Sequence, residues 1–217
     1  MSLLHQDITD GSAQQEEKPG NQLFPVFLKL NELQMVLIGG GNVGLEKLTA
    51  VLNNSPLAKV NVVSLEILPE LYELARQFTG VKIIQKAFEP ADLDIAEIVM
   101  AATNDRELNK QIREAAKQRR LLVNVADKPD LCDFYLGSVV QKGDLKLGIS
   151  TNGKSPTVAK RIKEVLTAAL PDELDITLQQ LNEVRNSLSG DFAYKVKELN
   201  RITAMLLAPA DDGGNAQ

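Results

Sequence analysis

The chain has 217 residues, 44% hydrophobic and 24% charged, which is enough to bury a core and suits one domain with a smaller appendage. A net charge of −5 argues against a duplex nucleic-acid binder, and 4% aromatics without tryptophan argue against stacking platforms for single strands. A single cysteine, Cys132, excludes an internal disulfide, Met1 to Asp10 lack a basic stretch followed by an apolar one, and no apolar run is long enough to span a bilayer; the expectation is a cytoplasmic protein with neither nucleic acid nor membrane as partner.

Residues 1–20 are polar and aperiodic, as in a disordered tail. The sole histidine, His5, falls there. Acid–base chemistry in the folded body is therefore left to carboxylates, Cys, Lys or Tyr. From Val26 apolar runs alternate with helical periods. Strands are expected at Val26 to Leu30 and Gln34 to Ile38, with a polar turn at Asn31-Glu32 between them. A glycine cluster and a helix over Asn42 to Leu52 follow, then a strand at Lys59 to Val63. A helix at Pro69 to Gln77 has proline in its first turn. Strands at Val81 to Gln85 and Ile98 to Ala102 precede a helix over Arg106 to Arg119, capped by Asn104 or Asp105, and a fifth strand at Leu121 to Val125. Near-continuous apolar strands between helices of this length predict an α/β fold, a parallel, doubly wound sheet over 21–131 covered on both faces.

The pattern changes after residue 131. Val139-Val140, a Lys142-Gly143-Asp144 turn and Leu145 to Ile149 predict a small β-hairpin within 132–155. Over 156–217 the expectation is helical. Ser155-Pro156 opens a helix to about Leu170, and Pro171 breaks it. Amphipathic segments at Glu173 to Ser187 and Asp191 to Leu207 flank Ser189-Gly190, and Ala208 to Gln217 fray.

Gly39-Gly40-Gly41-Asn42-Val43-Gly44 carries G-x-G-x-x-G between an apolar strand and a helix. Gly39 permits the tight turn, Gly41 lets a pyrophosphate approach the backbone, and Gly44 lets the helix pack close to the strand. The free N–H groups of the helix N-terminus suit phosphates. The expectation is a Rossmann-type dinucleotide site; no Gly-Lys-Ser/Thr ends the loop, which disfavours a P-loop. After the second strand the chain reads Ser64-Leu65-Glu66. Glu66 falls slightly late for a ribose hydroxyl but within reach of one, and no arginine is there to meet a 2′-phosphate, which favours NAD over NADP. A solvated loop carboxylate is the competing reading of Glu66.

Six stretches together resemble the precorrin-2 dehydrogenase family, which corresponds to the N-terminal part of siroheme synthase and includes sirohydrochlorin ferrochelatases. They are Phe24-Pro25-Val26-Phe27-Leu28, Leu37-Ile38-Gly39-Gly40-Gly41-Asn42-Val43, Ala101-Ala102-Thr103-Asn104-Asp105, Val123-Asn124-Val125-Ala126-Asp127, Cys132-Asp133-Phe134, and Ile149 through Ser150, Thr151, Asn152, Gly153, Lys154 and Ser155 to Pro156. The resemblance covers about Asn21 to Leu170, and the last three stretches are the specific ones. It implies NAD-dependent oxidation of precorrin-2 to sirohydrochlorin, in some relatives followed by ferrous iron insertion to give siroheme, and a homodimer in which the segment after the Rossmann domain, here the hairpin, exchanges strands. A chelatase alone, and a non-catalytic NAD-sensing module, are the alternatives. No methyltransferase segment is recognisable.

By the same resemblance Asp127 is the acid–base group, and the candidate iron ligand if chelation occurs. As a strand-end residue it lies where open α/β sheets bind ligands; the competing reading is a carboxylate capping the Lys128-Pro129 turn. Asn42, Val43, Leu65 and Glu66 match positions that touch NAD. Thr103 and Asp105 either reach the nicotinamide side or cap the next helix. Thr151 falls where some siroheme synthases carry a serine near the tetrapyrrole; Ser150, Thr151, Asn152 and Gly153 before a helix suit acetate or propionate groups through hydroxyls and helix N–H groups, and Lys154, Lys160 and Arg161 add positive charge near that point; an ordinary N-cap with a solvated basic face is the alternative. Cys132 reads as a packed, inert thiol. The departures are Glu46-Lys47 where the family often has Arg-Lys, and Gly137 where proline is usual, expected to loosen a turn.

Overall fold

The computed structural model describes residues 20–171 and 174–203. The expected tail with His5, and the expected end of the last helix beyond Thr203, lie outside the described residues.

Five strands form one parallel sheet in the order β3-β2-β1-β4-β5: β1 (Gln34–Gly40), β2 (Lys59–Ile67), β3 (Val81–Gln85), β4 (Ile98–Ala101) and β5 (Leu122–Val125). The apolar runs follow from burial on both faces. Met35 and Leu37 turn to one side, where α1 (Asn42–Asn54) and α2 (Pro69–Ala75) cover them with Leu48, Val51, Leu52 and Leu71. Val36 and Ile38 turn to the other, against Ile112, Ala115 and Ala116 of α3 (Arg106–Gln118) and Leu93 of the 3-10 turn Pro90–Leu93. Leu48 is fully buried; truncation to alanine would cost about 2–5 kcal/mol. The expected α/β Rossmann-type architecture is the observed one.

Two local expectations change. Val26 to Leu30 forms no strand, and Phe24, Val26 and Phe27 are exposed by 86, 61 and 70%. The segment precedes β1, which is central and already paired on both sides by β2 and β4. Its apolar run finds no ladder there, and the turn at Lys29, the bond from the Lys59 N–H to the Leu30 carbonyl (3.1 Å) and the packing of Leu30 against the core tie down its end. The second strand runs four residues past Val63. Ile38 pairs with Val63 but Gly40 with Ile67, so Ser64, Leu65 and Glu66 arch over Gly39 in a bulge.

The hairpin forms as expected, from β6 (Ser138–Lys142) and β7 (Leu145–Ile149), with Gly143 at φ +53° in the turn. The Asp144 N–H donates to Asp175 Oδ1 at 2.9 Å, so the helix that begins at Leu174 closes that turn. Helix α4 (Pro156–Ala169) packs on the hairpin and buries Ala159; the Ser155 hydroxyl caps it by accepting from the Val158 N–H at 3.2 Å. α5 (Leu174–Ser187) and α6 (Phe192–Thr203) pack against each other. Gly137 does not loosen the chain here. A Cβ on it would stand 2.6 Å from the Ile149 carbonyl oxygen, so its bare backbone permits a close approach to the end of β7.

Candidate active site

Two clefts open at the carboxyl ends of the strands, where this topology places ligands. The first, of about 510 Å³, lies between the glycine loop, the Ser64–Leu68 bulge and Thr103-Asn104. Its glycines divide by role. A Cβ on Gly39, which sits at φ +118°, would lie 2.3 Å from the Ala102 carbonyl oxygen, and one on Gly44 would lie 2.1 Å from that of Gly39. Both are demanded by the fold itself. A Cβ on Gly41 would meet nothing within 4 Å, so the open space there is what a ligand needs. α1 has no side-chain N-cap, leaving the first-turn N–H groups of Asn42 and Val43 to a phosphate. The backbone and the donor set therefore fit a dinucleotide.

At the ribose side the bulge presents Leu65, 66% exposed, and Glu66, whose carboxylate has no hydrogen bond or ion pair within the described chain. The bulge is held from below: Gln85 Nε2 donates to the Leu65 carbonyl at 3.1 Å and the Tyr72 hydroxyl donates to Gln85 Oε1 at 3.0 Å. Beyond β4 the two candidates separate. Thr103 lines the cleft, its hydroxyl donating to Oδ1 of buried Asn109 at 2.8 Å, while Asn109 Nδ2 donates back to the Thr103 carbonyl at 2.9 Å. Asp105 caps α3, its Oδ1 accepting from the Glu107 and Leu108 N–H groups at 2.9 and 3.1 Å.

The second cleft, of about 240 Å³, collects residues far apart in sequence: Lys47 of α1, Asn124 to Pro129 at the end of β5, Cys132, Tyr135, and the hairpin-to-α4 turn with Ser150, Thr151 and Gly153. Asp127 is exposed, sits at φ +56°, and makes no hydrogen bond or ion pair within the described chain. A left-handed aspartate is tolerated but uncommon. Here it turns the chain directly after β5 with the carboxylate left free. Ser150 Oγ accepts from the Asn152 N–H at 3.2 Å and from Asn21 Nδ2 at 3.4 Å. The Thr151 hydroxyl brackets Ser155, donating to its carbonyl at 3.1 Å and accepting from its N–H at 3.2 Å.

Asn152 and Lys154 do not line this cleft. Asn152 and Gly153 are both left-handed, at φ +53° and +72°, and that turn carries the chain past the opening. Of the basic residues expected nearby, Arg161 is paired with Glu164 at 2.8 Å. The cations that line the cleft are Lys47 and Lys128. From sequence Lys47 enters only in the Glu46-Lys47 departure and Lys128 only as a turn residue, neither as a site residue. Their signal was present only in three dimensions, because α1 begins at the dinucleotide site and runs on toward the end of β5.

A clasp holds the Asp127 turn. Cys132 Sγ accepts from the Val125 N–H at 3.2 Å and lies 3.2 and 3.3 Å from the Val125 and Lys128 carbonyls, which share its proton. Burial pushes the thiol pKa up, so it serves as a neutral hydrogen-bonding group. Next to it Asp133 accepts from the Val123 N–H at 3.0 Å and pairs with Arg113 through both oxygens. That guanidinium holds the Asp133 carboxyl below its ordinary value. Asn124 Nδ2 donates to the Phe134 carbonyl at 2.8 Å. Together these bonds satisfy the free edge of β5. Among the described residues, no group of three or more His, Cys, Asp or Glu side chains is placed to hold a metal, and no helix is long and apolar enough to cross a membrane.

A parallel sheet in this order, with an uncapped helix after a glycine loop and a carboxylate at the neighbouring strand end, defines a Rossmann-type NAD(P)-binding protein. The family model described as "Putative NAD(P)-binding" matches residues 26–138, and that described as "Sirohaem biosynthesis protein central" matches 142–169. The chain is 34% identical over 148 residues to siroheme synthase of Thioalkalivibrio sulfidiphilus, covering 68% of this chain and 30% of that protein. It is 33% identical over 192 residues to siroheme synthase 3 of Aeromonas hydrophila, covering 88% of this chain and 40% of that one. A solved structure of SirC, a precorrin-2 dehydrogenase, superposes with a TM-score of 0.67 at 27% identity, covering 83% of this chain and 89% of SirC. The chain belongs to the precorrin-2 dehydrogenase and siroheme synthase family. It spans between 30 and 40% of the length of these two synthases.

Proposed function

We propose that the protein oxidises precorrin-2 to sirohydrochlorin with NAD. The observation that carries this reading is the adjacency of the two clefts. A free carboxylate, Asp127, stands at the end of β5, one strand over from the Thr103 edge of the dinucleotide cleft, with Ser150 and Thr151 across the same opening. The likeness to SirC, a precorrin-2 dehydrogenase matched over 89% of its length, supports the dehydrogenase reading.

Bound NAD supplies the hydride acceptor. Asn42 and Val43 hold its phosphates through backbone N–H groups, and Gly41 leaves room for them. Glu66 accepts from the ribose hydroxyls; with no arginine beside it, NAD is preferred to NADP. Asp127 Oδ takes the proton released from the macrocycle as the hydride leaves, there being no histidine among the described residues to take it. Ser150, whose hydroxyl only accepts within the described chain, donates to a substrate carboxylate, and Thr151, whose proton goes to the Ser155 carbonyl, holds the turn beside it. Ferrous iron, as a second substrate, would meet the same Asp127 carboxylate. The exposed apolar residues of α4, Val158, Ile162 and Val165, together with Phe24 and Phe27, give a second copy of the chain a surface to cover, and we read the protein as a cytoplasmic homodimer.

The test is anaerobic turnover of precorrin-2 with NAD, following NADH and the sirohydrochlorin spectrum together, then repeated with ferrous iron. Turnover by the wild type establishes the dehydrogenase, and siroheme formed above the enzyme-free rate adds the chelatase. A folded, NAD-binding protein that forms no NADH from precorrin-2 would sink the reading.

A further inference from the structure

The second cleft holds a cation with no strong partner of its own. Lys47 lies five residues past Asn42, about 7.5 Å along the axis of α1, and lines the cleft together with Asp127. Its side chain is 23% exposed, against 51% for Lys110 and 76% for Lys29. Its one ion pair, to the adjacent Glu46, is long at 3.9 Å, and Glu46 is 76% exposed. No ion pair joins it to Asp127, although its charge acts on the Cys132 thiol inside the same cleft. The other cation in the lining, Lys128, is exposed. A lysine side chain largely covered by the protein and facing a cleft without a close carboxylate is placed to meet a ligand's anionic group.

The geometry points to Lys47 as the anchor for one peripheral carboxylate of a polycarboxylate macrocycle bound beside Asp127. This rests on the tetrapyrrole reading above and extends it. The anchor stands on the helix whose first turn meets the cofactor phosphates, so one rigid element references both reactants. A substrate held from Lys47 is registered against the nicotinamide end by the length of α1 rather than by a loop. The hairpin-to-α4 segment, where the sequence placed the basic groups, contributes the Ser150 and Thr151 hydroxyls instead.

The experiment is an anaerobic equilibrium titration of sirohydrochlorin into the full chain, for wild type, Lys47→Gln and Lys47→Arg at low and high salt, with NAD affinity and thermal stability measured alongside. Gln and Arg match Lys in helix propensity, so α1 is preserved. Lys47→Gln is expected to weaken sirohydrochlorin binding about tenfold and to flatten its salt dependence. It should raise the KM for precorrin-2 by a similar factor while kcat changes less than about threefold. Lys47→Arg should stay within about threefold of wild type, and NAD affinity should be unaltered in both. Wild-type affinity in Lys47→Gln, an equal loss in both variants, or an equal loss of NAD affinity each overturns the anchor. A wild type that binds NAD but not sirohydrochlorin overturns the tetrapyrrole reading itself, and the anchor with it.

Discussion

The two clefts are made of different material. Around Gly39 to Gly44 the ligand-facing groups are backbone: N–H donors at an uncapped helix start, and an absence of Cβ atoms where the chain and a ligand must come close. Around Asp127 they are side chains contributed by α1, the end of β5, the Cys132–Tyr135 segment and the hairpin-to-α4 turn. A backbone site is bound up with the fold, because the atoms that bind also carry the sheet and the helix. A side-chain site stands apart from it, and its chemistry can be removed with the scaffold left standing.

That contrast is sharpest at Asp127. Asp127→Ala removes a carboxylate with no hydrogen-bond or ion-pair partner among the described residues. Turnover of precorrin-2 should fall by about 10²–10⁴, while NAD affinity and the denaturation midpoint stay near wild type. A fall in stability matching the fall in rate would make Asp127 a structural turn residue. The glycines should behave the opposite way. Gly39→Ala and Gly44→Ala place a Cβ 2.3 and 2.1 Å from carbonyl oxygens, and each should cost about 1–3 kcal/mol in urea unfolding, more at Gly39 with its positive φ. Gly41→Ala has open space around its Cβ. It should leave stability within about 0.5 kcal/mol but weaken NAD about tenfold. Equal destabilisation in all three would erase the division between fold glycines and ligand glycine.

The same contrast sets what could be read in the chain without coordinates. The backbone cleft is local: Gly39, Gly41 and Gly44 lie within six residues between a strand and a helix, and each follows from a steric demand that a linear pattern records. The apolar runs of β1, β2, β4 and β5 were legible for a similar reason, since burial on both faces leaves no alternation to interpret. The side-chain cleft is non-local. Asp127 could be named because it ends a strand and resembles a family position, but Lys47 and Tyr135 come near it only through the crossing of α1 and the return of the chain after β5. Val26 to Leu30 misled because an apolar run says that a segment can be a strand, not that the strand next to it in sequence has an unpaired side, and β1 has none. The bulge at Ser64 to Glu66 was likewise hidden, because it depends on the register between β1 and β2. Lys154 was expected in the site from its neighbours in sequence, and two successive left-handed residues carry it past.

The clasp along β5 joins the two kinds of region, and Asp133 tests how. Its carboxyl is held below the ordinary value of 3.8 by Arg113. A depressed carboxylate stabilises the fold at pH values above its unfolded pKa, and the contribution fades as pH falls through the lower, folded value. Asp133→Ala, which also strips the Val123 N–H of its acceptor, should therefore destabilise by about 1–3 kcal/mol near neutral pH. The gap between variant and wild type should narrow as the pH drops below about 4. A gap that is constant with pH would assign the loss to packing alone.

The smallest expected effect settles the two readings of Asp105. As the cap of α3 it accepts two backbone N–H groups, so Asp105→Ala should cost about 1 kcal/mol of stability. Asp105 does not line the cleft, whereas its neighbour Thr103 lines it with a hydroxyl committed to Asn109. NAD affinity should thus change by less than about twofold in Asp105→Ala. Asp105→Asn, which keeps an oxygen for the cap, should recover most of the stability without altering that affinity. A loss of NAD binding in Asp105→Asn with stability intact would move this carboxylate from the helix to the cofactor, and would make the dinucleotide cleft, too, partly a site of side chains.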